Sequence, residues 1–208
     1  SIEYMWSRGI RFVAHAPDYT HPDWRPEHLE TLEKSYRRLA QFYINRARDG
    51  EHFFFTLFDE KLKSHASSPI ALGEVCDFGA KKLSVAPDGR VYPCVQFISD
   101  KPGSEDFCIG HVATGMTPRR DELISLNKQS RPQCEGCAHL GRCANWCGCM
   151  NWQLTGKLTE VPGILCAHEQ MLIPIVDKVG NTLWNERNRH FLEKHYKEYL
   201  QRFPYSFD

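Results

Sequence analysis

The sequence has no excess of charge of either sign: 26 Lys and Arg against 26 Asp and Glu leave a formal net charge of zero over 208 residues. That balance excludes a global basic field able to draw in nucleic acid or an anionic membrane, so any partner has to be recognised locally. No apolar run reaches the roughly 18 residues of a membrane span, and Ser1 to Gly9 lacks the basic-then-apolar layout of a secretion signal. The expected location is the cytoplasm. Repeats at solenoid periods and low-complexity tracts are also lacking. With 41% apolar residues the chain can still bury a core.

What the chain has in abundance is cysteine, nine in all. A reducing cytosol disfavours structural disulfides, and an odd count fits a complete disulfide framework poorly, so metal binding is the better explanation. Cys134-x2-Cys137-x5-Cys143-x3-Cys147 is interrupted by Gly136 and Gly141, which let the backbone fold back and converge the thiols. Spacing within this knot does not choose between zinc and iron–sulfur, because tetrahedral thiolate sites serve both. The distant cysteines tip the balance. Leu83 to Tyr92 carries β-prone flanks around Asp88-Gly89, a dipeptide that tolerates the positive φ of a tight hairpin, and this brings Cys76 and Cys94 together at its base. With Cys166 the pattern has seven thiols, close to the eight that two four-iron clusters need, whereas one zinc leaves three unexplained.

Around this segment the chain reads as follows. Ile10, Phe12 and Ala14 alternate on one side of a short strand. Pro26 suits a first helical position, and Leu29, Leu32, Tyr36, Leu39 and Tyr43 recur at helical spacing until Asp49-Gly50 supplies a stop. Phe53, Phe54, Phe55, Leu57, Phe58 and Leu62 predict a buried helix over 51–64. Beyond Cys166, Met171, Ile175, Val179 and Leu183 predict a helix bent at Pro174, with a last helix from about Glu186 to Arg202. The expected fold class is α+β, with boundaries at 1–50 (strand plus helix), 51–75 (bridging helix), 76–166 (Cys-rich domain) and 167–208 (C-terminal helices).

The pattern C-x12-G-x4-C, then C-x2-C-x5-C-x3-C, then a final C resembles the seven-cysteine signature of the SPASM domain, the auxiliary-cluster module of radical S-adenosylmethionine (SAM) enzymes that modify peptides and proteins. It covers Cys76 to Cys166. The resemblance implies two [4Fe-4S] clusters with interleaved ligands: Cys134, Cys137, Cys143 and Cys166 on the outer one, and Cys76, Cys94 and Cys147 on the inner one. Sulfatase-maturing relatives complete the inner cluster with a further cysteine soon after the first, and this chain has none between Cys76 and Cys94. Cys108 is the natural substitute, Cys149 is another, and an open iron is a third possibility; as a packed thiol, Cys149 is expected to matter little. The resemblance also implies that the strand and helix within residues 1–50 end a partial (β/α) barrel, which puts His15, Asp18, His21 and Asp23 at its mouth; the alternative is an ordinary solvated loop.

The three-cysteine motif C-x3-C-x2-C that holds the SAM-cleaving cluster is missing. The expectation is therefore a fragment whose barrel, with SAM and a third [4Fe-4S] cluster, lies upstream. The implied parent modifies the precursor of a ribosomally made peptide product, or a protein, and takes electrons from a flavodoxin or ferredoxin. No carboxylate, including Asp77 and Asp88, has a context that marks it as a catalytic acid. The rival readings are a zinc-stabilised binding module and a stand-alone iron–sulfur electron carrier.

Overall fold

A computed structural model describes residues 2–66 and 78–197. The fold is mixed, as expected for the α+β class, with helices predominating, two small sheets and no barrel among the described residues. In chain order the elements are α1 (Ile2–Ser7), β1 (Phe12–Val13), α2 (Pro26–Arg48), β2 (Phe54–Phe55), α3 (Thr56–Ala66), β3 (Ser84–Val85), β4 (Arg90–Tyr92), β5 (Gly110–His111), β6 (Gly115–Met116), α4 (Arg119–Asn127), α5 (Gly148–Thr155), α6 (Gly163–Asn185) and α7 (Arg189–His195). The chain divides into two compact units, residues 1–69 with 167–208, and residues 70–166.

In the first unit β1 and β2 pair in parallel, Phe12 opposite Phe54 and Val13 opposite Phe55, with α2 as the crossover. Helix α2 has the bounds its sequence predicts. Arg25 is extended, Pro26 takes the first turn, where its missing N–H is no loss, and Asp49 caps the end before Gly50 at φ +71°. Its buried face, Tyr36, Leu39, Ala40, Tyr43, Ile44 and Ala47, packs with Phe55, Phe58 and Leu62 and with Leu172, Ile175, Val176, Val179 and Leu183 of α6.

The phenylalanine run departs from expectation. Instead of a helix from residue 51, Phe54–Phe55 form a strand and α3 starts at Thr56. Pairing fixes the outcome: Phe54 stacks on Phe12 with ring centroids 4.7 Å apart, Thr56 Oγ1 donates to the Val13 carbonyl at 3.0 Å, and the Asp59 carboxylate accepts the Phe55 N–H at 2.7 Å. Period-two burial then puts Phe53 and Phe55 inside, and both are buried. The same pairing reverses the sidedness of β1. Phe12 is 62% exposed and Val13 is buried, because the α2 and α3 core lies on the Val13 side.

Helix α6 begins at Gly163, so Cys166 lies in its first turn, and it runs on through Pro174. The final helix starts at Arg189 rather than near Glu186: Arg187 adopts φ +50°, and the Asn188 side chain caps the helix by accepting the Phe191 N–H at 2.8 Å.

The second unit is built on the antiparallel order β3-β4-β5-β6. The expected hairpin is present, with Ser84 opposite Tyr92 and Val85 opposite Val91. Asp88 accepts the Arg90 N–H at 3.0 Å, and Gly89 takes φ +88° at a place where a Cβ would meet His111 Nε2 at 2.6 Å. The sheet packs on a core of Phe78, Val91, Tyr92, Phe97, Phe107, Ile109, Leu123, Trp152 and Leu158. Trp152 is a core residue here, against Phe97 at 5.3 Å and Phe107 at 4.8 Å between centroids.

Candidate metal centre

Two local structures carry thiols at the core of the second unit. Strand β4 ends at Tyr92, and Cys94 follows in an extended conformation before a 3-10 turn over Val95–Phe97. Cys147 precedes α5, and Cys149 lies in that helix's first turn, buried. The Cys147 and Cys149 sulfurs are 3.4 Å apart.

The electrostatics follow from that contact. Hydrogen bonding to Cys149 draws the Cys94 thiol down to about 6 and lowers Cys147 as well, while Cys149, between two incipient thiolates, is pushed up. Among the described residues no three His, Cys, Asp or Glu side chains are already disposed around a metal position. The donor set is nevertheless all sulfur, which suits iron–sulfur clusters or zinc and disfavours hard cations.

The knot from Cys134 to Cys143 is a succession of turns. Cys134 closes a 3-10 turn, its carbonyl accepts the Cys137 N–H at 3.1 Å, and Cys143 N–H donates to the His139 carbonyl at 3.2 Å. Gly136 at φ +73° and Gly141 at φ +82° make the reversals that the sequence anticipates. These three cysteines are half-buried and Cys166 is exposed. Cys108 follows a separate 3-10 turn over Ser104–Phe107, and its thiol donates to the Gly110 carbonyl at 3.3 Å. Cys76 lies outside the described residues, as does Asp77.

Arg131 is the residue that sequence reasoning missed. It is buried, and its guanidinium donates to the carbonyls of Asn145 (2.9 Å), Gln129 (2.7 Å), Asn127 (3.1 Å) and Trp146 (3.3 Å). It ties the start of the knot to the turn before Cys147. Burial lowers its pKa, and the nearby Cys134, Cys147 and Cys143 push the other way, so a fixed cation sits beside the thiols. The only signal in the sequence is its position just before Pro132 and Cys134. Asn151 is fully buried and donates to the carbonyls of Asn145 and Leu158, which makes it a pin for the same turn.

No protein-family model and no curated protein matches this chain. Solved structures do. Hexahistidine-tagged anSMEcpe with bound AdoMet superposes with a TM-score of 0.64 at 17% identity, over 93% of this chain and 53% of that one. Native anSMEcpe with bound AdoMet gives 0.61 at 16% identity, and the form with AdoMet and the Cp18Cys peptide gives 0.59 at 18%, each over 88% of this chain and 53% of the other. The fold is similar to that of these AdoMet-bound structures. At these identities the likeness shows the fold alone, and this chain spans about half the length of the structures it matches.

In the first unit the loop after β1 does not gather its four polar residues. Asp18, His21 and Asp23 line an open groove of about 360 Å³ with Trp24 and His28, whereas His15 lines a different cleft of about 310 Å³ beside Glu3, Ser35, Tyr36 and Arg38. Two buried polar centres were not foreseen. His168 is fully buried with Nδ1 on Tyr19 Oη at 2.7 Å and Nε2 on Tyr36 Oη at 3.1 Å; burial first, then Lys61 and His15, push its pKa down to about 4. Asp59 accepts from Tyr43 at 2.9 Å and pairs with Lys194 at 2.5 Å and His195 at 3.3 Å. Neither stands out in sequence, because most of these partners lie more than a hundred residues away.

No helix among the described residues is long and apolar enough to cross a membrane.

Proposed function

We propose that this chain is the auxiliary-cluster region of a radical SAM enzyme that modifies a peptide or protein. The observation that carries the reading is its superposition on an AdoMet-bound radical SAM maturase over 93% of its length. The seven-cysteine spacing, which played no part in that superposition, points the same way.

In this reading Cys134, Cys137, Cys143 and Cys166 hold the outer [4Fe-4S] cluster, and Cys76, Cys94 and Cys147 supply three ligands of the inner one. Bound clusters supply one-electron relay at low potential. The chain's own residues do the remainder. On metal binding, the thiols after the hairpin and at the start of α5 would give up protons to become ligands. Arg131 offsets the negative charge of a thiolate site, and Phe97, Phe107 and Trp152 keep water from the sheet beneath it. SAM and the third cluster are assigned to an upstream barrel, and a flavodoxin or ferredoxin to the role of reductant. A peptide as substrate is supported by the matched structure that holds Cp18Cys peptide.

The test is iron and acid-labile sulfide per chain after anaerobic reconstitution, with an absorption spectrum. About eight of each is expected for two four-iron clusters. Little iron together with about one zinc would replace this reading by a zinc-stabilised module.

A further inference from the structure

The first unit carries no cysteine, yet it holds a pair of metal-ligating side chains in contact. We propose that His52 and His190 form a binding site for a divalent transition-metal ion of the zinc or nickel class, completed by Glu193 and water, and that the ion fastens α7 to the segment joining α2 and β2. This site goes beyond the iron–sulfur reading and does not depend on it.

The two imidazoles come from distant parts of the chain. His52 lies between α2 and β2 and His190 lies in α7, and their rings meet at 62° with centroids 4.2 Å apart. His190 Nε2 is inaccessible to solvent and has no hydrogen-bond partner among the described residues, a state that folded proteins avoid for a polar atom. A metal ion answers it, because a neutral imidazole nitrogen presents a lone pair and imidazole suits zinc, nickel and copper. Burial first, then His52 and Lys194, lower the His190 pKa from its usual 6.5, so the ring offers that lone pair at neutral pH without first losing a proton. His52 is exposed, so its ring is free to turn and admit the ion.

Glu193 follows His190 by three residues, so its carboxylate emerges on the same face of α7. It pairs with Arg189 at 2.7 Å in an exposed contact, of a kind that contributes little and that a ligand bond displaces readily. Two imidazoles, one carboxylate and a water make the four-coordinate set that zinc takes. The neighbouring cations are already neutralised. Lys194 Nζ pairs with Asp59 at 2.5 Å and donates to Tyr43 Oη and the Phe53 carbonyl, while Arg46 pairs with Asp49 at 2.8 Å and with Glu51. Phe191 and Leu192, next to His190, are buried in the first core, so an ion at this pair holds α7 on the core that it covers.

The experiment titrates nickel chloride into the full chain, anaerobically reconstituted with iron and sulfide, as wild type, His52→Ala, His190→Ala and Glu193→Gln. Bound nickel is measured at each step, together with amide hydrogen exchange over residues 49–53 and 189–195, and circular dichroism reports folding. Nickel is expected to slow exchange in both segments of the wild type. His52→Ala and His190→Ala each abolish that protection and weaken the associated binding by more than about tenfold, the loss that removing even a supporting group typically brings, and Glu193→Gln weakens it less. Because His52 is exposed, His52→Ala keeps the fold and remains decisive should His190→Ala unfold. Nickel taken up by cysteines binds wild type and His52→Ala alike and leaves exchange in the two segments unchanged. That result, or protection in His52→Ala equal to that in wild type, overturns the proposal, and the iron and sulfide content that tests the cluster reading is untouched by either outcome.

Discussion

The two units of this chain solve the same problem with different means. Residues 1–69 and 167–208 bury an aromatic and aliphatic core in which Phe55, Phe58, Leu172, Val176, Val179 and Leu183 are fully inaccessible. Residues 70–166 carry all nine cysteines, and among their described residues the strands are short, turns are many and the core is smaller. The first unit has the means to hold together by burial. The second carries its thiols on backbone turns, an arrangement that a bound metal centre would stabilise by adding ligand bonds. Stability in the two halves should therefore respond to different perturbations.

The sharpest way to break the comparison is to remove metal. Stripping the reconstituted protein with chelator under mild oxidation is expected to raise amide hydrogen exchange throughout residues 78–166, on the scale of unfolding a unit, and to leave α2 and α6 protected. Equal loss of protection in both units would erase the distinction. Phe58→Ala probes the opposite half. Truncating a fully buried phenylalanine should cost about 3–5 kcal/mol, seen as a lower denaturation midpoint, with iron content per folded chain unchanged.

Asp59 tests the polar part of the first core. Burial opposes its charge, but His195 and Lys194 outweigh burial and hold its pKa below the usual 3.8. Its stabilising contribution is complete above 3.8, where the unfolded carboxylate is also ionised, and is lost as pH falls through the lower folded-state value. Asp59→Asn should cost about 3 kcal/mol near neutral pH, because buried Lys194 loses its counter-charge, and should flatten this acid limb in denaturation measured between about pH 2 and 6. A smaller effect, about 2 kcal/mol, is expected for Arg131→Lys. An ammonium cannot reach four carbonyls as the guanidinium fork does, so cluster occupancy should fall while the first unit's midpoint is retained.

Local chemistry was legible in the sequence. The Pro26 start and Asp49-Gly50 stop of α2, and the Asp88-Gly89 hairpin, are set by fixed φ, a missing N–H or tolerance of positive φ, and those properties belong to the residues themselves. Pairing was not legible. Phe53–Phe55 became a strand because β1 was there to receive it, and Phe12 turned outward for the same reason. Helices α4 and α5, with little amphipathic contrast in short segments, left no periodic signal to read.

The candidate site divides in the same way. Cysteine count and spacing by themselves pointed to soft-metal ligation, because donor chemistry is a property of residue type. Which sulfur meets which is a matter of three dimensions. Tertiary structure alone set the Cys149 sulfur beside that of Cys147, held Cys108 on the Gly110 carbonyl and buried Arg131 beside the knot, because α5 packs through Trp152 on Phe97 across more than fifty residues of chain.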